Sequence, residues 1–345
     1  MRPRKHRPAA TSIAWATAPL AWATAPLAWA AAPHLGVLGL LAACAVIAPS
    51  PLAGATVTQL TSPAKGEKSW NSEPSWSPDG KRIVYTHATW TGANAFTSWI
   101  EVVEVENGKR SRYPRQETGD NPAANTHASW SPDGKRIVFT APTGVMLTTG
   151  DAGSPTLLVP GPVPEAHPAW SLDGAWIAFE KDGGEGRVIW LLPPIGGESQ
   201  LLSPPKGPMV DPAWSPDGKR IACAVWGERG RDLWIVPLGG GTWRAVTRDA
   251  HDDASPAWSP DGSTIAFVSD RGGNRDVWLV PASGGEPVQL TDAPGDDIDP
   301  CWSPDGKRLA FASTRSGELQ IWIAADLPPA SLLQRSWRAP KTVER

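Results

Sequence analysis

The stretch WSPDGKRI, Trp76–Ile83, is spelled again at Trp130–Ile137 and Trp214–Ile221, with variants WSLDGAWI from Trp170, WSPDGSTI from Trp258 and WSPDGKRL from Trp302. The six tryptophans stand 54, 40, 44, 44 and 44 residues apart. Self-similarity at this period marks one supersecondary unit written six times. In the fifth copy, PAWSPDG (256–262) leads into STIAFVS (263–269), then a polar loop, DVWLVP (276–281), a Gly-Gly turn and PVQLT (287–291). These are four short β-type runs divided by turn chemistry, with no run of helical period.

Four strands per unit, repeated about a centre, predict an all-β, six-bladed β-propeller of four-stranded antiparallel blades. The motif then reads as shape. The tryptophan ends the innermost strand and is expected to wedge its flat ring against the next blade. Ser-Pro-Asp-Gly makes the hairpin to the second strand: Pro presets φ, Asp bonds local backbone and Gly accepts φ > 0. The sixth copy supplies PCWSPDG, KRLAFAS and LQIWIA (319–324) and lacks a fourth strand. VTQLT at 57–61 matches VQLT at 288–291, so the first strand of the domain should complete the last blade and remove the open edges of the ring.

The WSPDGKRI unit, the IWxVP-type strand and the GGxxxxLT ending resemble the TolB-type propeller family of WD-like bacterial repeats. The resemblance covers nearly all of 56–324. TolB carries an α/β domain ahead of its propeller, for which this chain has no room between Ala55 and Val57; the resemblance therefore implies a general envelope binding role. The repeat also resembles the propeller of prolyl-oligopeptidase-like peptidases. No hydrolase domain follows here and no G-x-S-x-G nucleophile elbow is found.

Residues 1–55 read as a signal or targeting segment: a basic start, MRPRKHR, a tandem AWATAPL tract and a 14-residue apolar run, LGVLGLLAACAVIA, at 35–48. That run is short for a membrane span and suits a signal-peptide core. Cys44 ends a lipobox-like Leu-Ala-Ala-Cys, and Ala53-Gly54-Ala55 offers an ordinary cleavage site; both readings stay open. The expectation is an exported protein, periplasmic or extracellular, touching the membrane only through a lipid on Cys44. Outside the leader, 28 basic residues face 35 acidic ones, which argues against a nucleic-acid partner. Cys223 and Cys301 fall in different repeats, so no disulfide is expected. The tail, 325–345, is polar, with a short helix expected around Ser331–Trp337.

Candidate function lies where loops vary. The residues three before each motif tryptophan are Glu73, His127, His167, Asp211, Ser255 and Asp299, and they should ring the channel mouth. His87 and His251 map to the same face. Carboxylates with imidazoles suit a divalent metal or a cationic ligand; equally, short polar residues cap strand entries and face channel water. The long first repeat carries HATWTGANAFTSW at 87–99, placing Trp90, Phe96 and Trp99 in or beside a loop on that face, where aromatics serve either recognition or burial. Arg271, Arg315, Arg229 and Arg231 are expected to brace neighbouring loops.

The reading that follows is a protein- or peptide-binding or scaffold module of the cell envelope. Contact is expected at Glu73, His127, His167, Asp211 and Asp299 and at Trp90, Phe96 and Trp99. No catalytic constellation is visible, and no cofactor is called for beyond a divalent metal at the mouth. The alternatives are a metal-assisted hydrolase or lyase in the channel, or the propeller part of a peptidase system.

Overall fold

The computed structural model describes residues 55–92, 95–113, 125–150, 153–161, 166–184, 186–202 and 207–327. The leader up to residue 54, with Cys44, and the tail from 328, with the expected helix at Ser331–Trp337, lie outside the described residues. The described residues contain 24 strands and no helix, arranged as six antiparallel four-stranded sheets. Blades one to five occupy 69–113, 126–160, 169–201, 209–245 and 253–289. Blade six takes its inner three strands from 297–325 and its outer strand from Thr56–Gln59. That strand pairs antiparallel with Gln320–Ala325, Thr56 opposite Ala325 and Gln59 opposite Trp322. The ladder then continues through the Leu60 and Thr61 N–H groups, which both donate to Ile321 O. The expected latch is therefore present.

Six hydrophobic cores lie between neighbouring blades and close the ring. One joins Ile83, Tyr85 and Val103 of blade one to Ala310, Ile321 and Ile323 of blade six. The others join successive blades around the circle. The second strand of each blade places a ring at their centres: Tyr85, Phe139, Phe179, Phe267 and Phe311 are fully buried, with Cys223 in the equivalent place in blade four. Truncating such a buried ring costs about 3–5 kcal/mol.

The motif tryptophans face the opposite way from the expectation: each packs on the preceding blade. Trp76 Nε1 donates to Cys301 O of blade six at 3.1 Å, and Trp214 Nε1 to Ala169 O of blade three at 3.0 Å. The physical reason is apolar burial: Trp130 joins the core of Val84, Ile100 and Val102 of blade one, and Trp258 that of Ala222, Ala224 and Leu233 of blade four. An arginine of the preceding copy covers four of the six indoles. Arg82 lies 4.6 Å over Trp130, Arg136 4.9 Å over Trp170, Arg220 4.9 Å over Trp258 and Arg308 4.5 Å over Trp76. The indole is thus held between its own hairpin and a cation from the blade before it. Where the spelling loses that arginine, at Trp176 and Thr264, the following Trp214 and Trp302 have no such cation over them among the described residues and still pack on the preceding blade.

The Ser-Pro-Asp-Gly turns are self-contained. In blade one, Ser77 Oγ donates to Asp79 Oδ1 at 2.5 Å and accepts from Arg82 N, while Lys81 N donates to Asp79 Oδ1. The same bonds recur around Ser131, Ser171, Ser215, Ser259 and Ser303. Gly80 closes the turn at φ +67°, a conformation that disfavours a side chain. All six turn aspartates, Asp79 to Asp305, are held below the usual carboxylate range, by the serine hydroxyl and backbone N–H groups.

Candidate binding site at the channel mouth

At the other end of the innermost strands the chain is strained. Glu73, His127, His167, Asp211, Ser255 and Asp299 all adopt positive φ, between 37° and 58°. Only one other non-glycine residue among the described ones, Asp326, does so. In five blades this position sits inside a register shift, for example between Ser72 and Ser75 or between Val210 and Ala213. In blade three the innermost strand shrinks to Ala169–Trp170, just after His167. A bulge takes one residue out of the ladder and re-aims its side chain. Here the six side chains line one cavity of about 180 Å³ together with prolines such as Pro74 and Pro212. Those prolines also border a second cavity of about 520 Å³, walled by the six motif tryptophans and the turn prolines. The channel thus has a mouth ringed by titratable side chains and a wider part walled by tryptophans and prolines.

Each bulge frees a backbone N–H, and carboxylates supply acceptors across blade boundaries. Glu73 N donates to Asp299 Oδ2, His127 N to Glu73 Oε2, and Ser255 N to Asp211 Oδ2, at 3.2, 2.8 and 3.0 Å. Asp211 N donates to Glu180 Oε1 at 2.8 Å. The mouth acids are therefore staples of the ring as well as groups facing the channel.

The imidazoles are paired. His127 Nε2 lies 2.8 Å from Glu73 Oε1, and its Nδ1 is bonded to Thr126 Oγ1. His167 Nδ1 lies 2.8 Å from Glu180 Oε1, off the line of a good hydrogen bond, with Nε2 3.9 Å from Asp211 Oδ1. The two rings meet edge to face at 3.8 Å. Burial lowers the His167 pKa, but Glu180, then Asp211 and Glu73, outweigh it and raise it to about 10. Burial works upward on Glu73, yet His127, His167 and the Thr86 hydroxyl bring it down to about 2. Asp299 goes the other way, pushed up to about 7 by burial and by the charges of Glu73 and Asp211. His167, Glu180 and Asp211 present ligand atoms within 4.8 Å of one another, a donor set that fits a divalent ion.

Glu180 is the site residue that sequence reasoning missed. It is 2% exposed, in the second strand of blade three, and Arg187 Nη1 donates to its Oε2 at 3.2 Å. The signal was legible: the aligned positions elsewhere hold Thr86, Thr140, Ala224, Val268 and Ala312. A buried carboxylate needs a partner nearby.

The remaining expected residues fall into separate places. The stretch read as a loop is a long hairpin, Arg82–Gly92 with Ala95–Glu104. Trp90 and Phe96 are cross-strand partners, 52% and 53% exposed, clustered with Trp70 at 5.5 and 5.4 Å. Trp99 is not with them. It pairs with His87, donates to Glu101 Oε1 and carries the Arg112 guanidinium at 4.3 Å over its ring. His87 itself is buried, its Nδ1 2.6 Å from Asn71 Oδ1, and so does not reach the mouth. His251 is exposed beside Asp270. Three of the four loop arginines brace: Arg271 holds the buried Asp253 through both oxygens, Arg315 holds the buried Asp297, and Arg231 grips Asp252. Arg229 is exposed and makes no such contact among the described residues. Cys223 and Cys301 are free, their thiols pushed up by burial, Cys301 to about 11.

Residues 145–291 match the family described as TolB beta propeller domain. No curated protein matches the chain. Among solved structures, the putative TolB of Agrobacterium tumefaciens is similar at 27% identity and a TM-score of 0.54, over 59% of this chain and 73% of that one. TolB of Acinetobacter baumannii is similar at 16% identity and 0.55, over 74% of this chain and 63% of that one. An oligogalacturonate lyase of Vibrio parahaemolyticus is similar at 14% identity and 0.54, over 82% and 96%. At such identities the last two likenesses speak for the fold alone.

Proposed function

We propose that this TolB-type six-bladed propeller is a binding module of the cell envelope, exported by its N-terminal segment, whose channel mouth receives a protein or peptide. One observation carries the reading. Six strained positions hold six polar side chains around a single cavity, on a scaffold whose repeated serine–aspartate turns bond their own backbone. Strain of about 1–3 kcal/mol per residue persists where surrounding structure enforces it, and it clusters at ligand clamps. The exposed Trp70–Trp90–Phe96 cluster is the second contact surface, since aromatics in partly dry settings dominate binding energy. Affinity capture from envelope extracts tests both surfaces. Wild-type protein should recover a partner that His127→Ala/Asp211→Asn and Trp90→Ala each reduce. Equal recovery by all three would remove the mouth and the hairpin from the account.

A second reading draws on the His167, Glu180 and Asp211 donor set: a metal-assisted hydrolase or lyase. The similar oligogalacturonate lyase fold is compatible with it. It is the weaker of the two, because Glu180 already spends its oxygens on Asp211 N and Arg187. Elemental analysis of purified wild type and His167→Ala separates them: a stoichiometric ion lost in the variant favours the enzyme.

A further inference from the structure

Three consecutive seams of the ring bring the same pair of positions together and fill them differently. A residue at the start of the third strand, Asp232, Asp276 or Gln320, meets the residue two before the mouth position of the next blade, Asp253, Asp297 or Asn71. At the seam of blades six and one, Asn71 N–H donates to Leu319 O at 2.8 Å, and Asn71 Nδ2 donates to Gln320 Oε1 at 2.7 Å. At the seam of blades five and six the backbone bond recurs, Asp297 N–H to Arg275 O at 2.8 Å. Two carboxyls now stand where the two amides stood, and an ionised pair has no hydrogen to place between them. At the seam of blades four and five, Arg271 donates to both oxygens of Asp253, at 2.8 and 2.9 Å, so that carboxylate is complete.

The five–six seam has one cation for two acids. Asp276 is 1% exposed and Asp297 is fully buried. Arg315 Nη2 donates to Asp297 Oδ2 at 2.6 Å, while Asp297 Oδ1 is buried with no hydrogen-bond partner among the described residues. Leaving such an oxygen unmet is costly. Asp276 Oδ2 accepts from Gln289 Nε2 at 3.0 Å. Its Oδ1 has the Thr291 hydroxyl and Asn274 Nδ2 at 3.4 and 3.5 Å, at the edge of hydrogen-bond range. Among the charges around Asp276, Asp297 acts most strongly and Asp292 adds to it; Arg271 and Arg275, from the preceding loop, are held by Asp253 and Asp296. Burial, then Asp297, push the Asp276 carboxyl up to about 7 against the pull of Gln289 and Thr291.

We propose that Asp276 keeps a proton and donates it to Asp297 Oδ1, and that this shared proton closes the seam between blades five and six, making the rim of the ring sensitive to pH. The arrangement repeats the Asn71–Gln320 pair one seam on, with a carboxyl hydrogen in place of an amide hydrogen. It satisfies the orphaned oxygen and leaves one negative charge for the one guanidinium of Arg315. Asp297 and Asp299 share the innermost strand of blade six, so the device borders the mouth. The unfolded chain releases this proton near the ordinary carboxylate value, about 4, and the folded seam near 7. The stabilisation is therefore complete below about 4 and lost as pH climbs through about 7.

The Asp276 carboxyl carbon, followed by NMR in the wild-type protein, should titrate with a midpoint near 7. Exchange of the Asp297 amide hydrogen, corrected for its intrinsic rate, reads the seam itself. Its protection should fall about tenfold per pH unit from about pH 5 to about pH 7 and level off above. Asp276→Asn gives Asp297 Oδ1 a permanent N–H donor and keeps an oxygen for Gln289, so it should lose most of that fall. Asp299→Asn, which removes the other raised acid of the rim, should keep most of it. A carboxyl midpoint near 4 overturns the shared proton, whether or not the variant folds. A midpoint near 7 with protection that ignores pH, or that falls equally in Asp276→Asn, overturns its role in closing the seam.

Discussion

The two ends of the channel are made from the same six repeats and use them in opposite ways. At the turn end, six serines and six aspartates close on their own backbone, and the side chains are nearly identical from blade to blade. At the mouth end, six aligned positions share one unusual backbone conformation but carry Glu, His, His, Asp, Ser and Asp. Constancy with internal satisfaction is what a scaffold looks like; constant backbone strain with varied polar side chains is what a site looks like. Substitutions at the two ends should therefore separate stability from binding.

The largest loss of stability is expected where the mouth borrows from the scaffold. Glu180→Ala uncaps Asp211 N–H and removes the counter-charge of His167 from a buried position. Urea denaturation should show a loss of about 3 kcal/mol, as expected when one partner of a buried pair is deleted. A turn substitution comes next. Gly218→Ala forces a side chain to φ +66° with Asp173 oxygen 3.3 Å from the new Cβ, and should lose about 1–2 kcal/mol while partner capture stays intact. If Gly218→Ala loses binding at equal folded fraction, the division between the ends is wrong.

Asp299 sharpens the comparison through pH. Its pKa is raised from the ordinary carboxylate value to about 7, so the folded protein keeps a proton that the unfolded chain releases. Stability from this residue therefore falls as pH climbs from about 4 to 7. Asp299→Asn removes that fall. Its melting temperature should exceed wild type by several degrees at pH 8 and match it near pH 4. The groups facing Asp299 in this balance are Glu73, Asp211 and His167. The smallest effect is expected for Ser255→Gly. Relief of the φ +47° strain is partly cancelled by the freer unfolded chain, leaving a gain of about 0.5 kcal/mol.

The sequence made the blades legible because the turn residues are demanded by backbone geometry, and geometry repeats. The latch was legible for the same reason: VTQLT copies a fourth strand and nothing else in the sixth repeat could supply one. The direction of the tryptophans was not, since a wedge between two blades looks the same from either side until the apolar strands it packs on are placed. Spacing from the tryptophan put five charged residues and Ser255 at the mouth correctly, because each bulge fixes where its side chain enters the channel. It failed for His87, whose strand runs on past the expected loop and turns the ring inward to Asn71. The same extension, with its alternating period, split Trp99 from Trp90 and Phe96. Glu180 was visible as a charge among uncharged equivalents, but its partners His167, Arg187 and Asp211 come from other sequence distances, which no repeat spacing reveals.

The central claim is that the mouth binds and the turns only hold shape. A photo-cross-linking amino acid placed at Ser255 and, separately, at Pro216 tests it in intact cells at matched expression. The account predicts a discrete protein adduct from position 255 and none from position 216. Adducts from position 216 alone, or equal adducts from both, would contradict it.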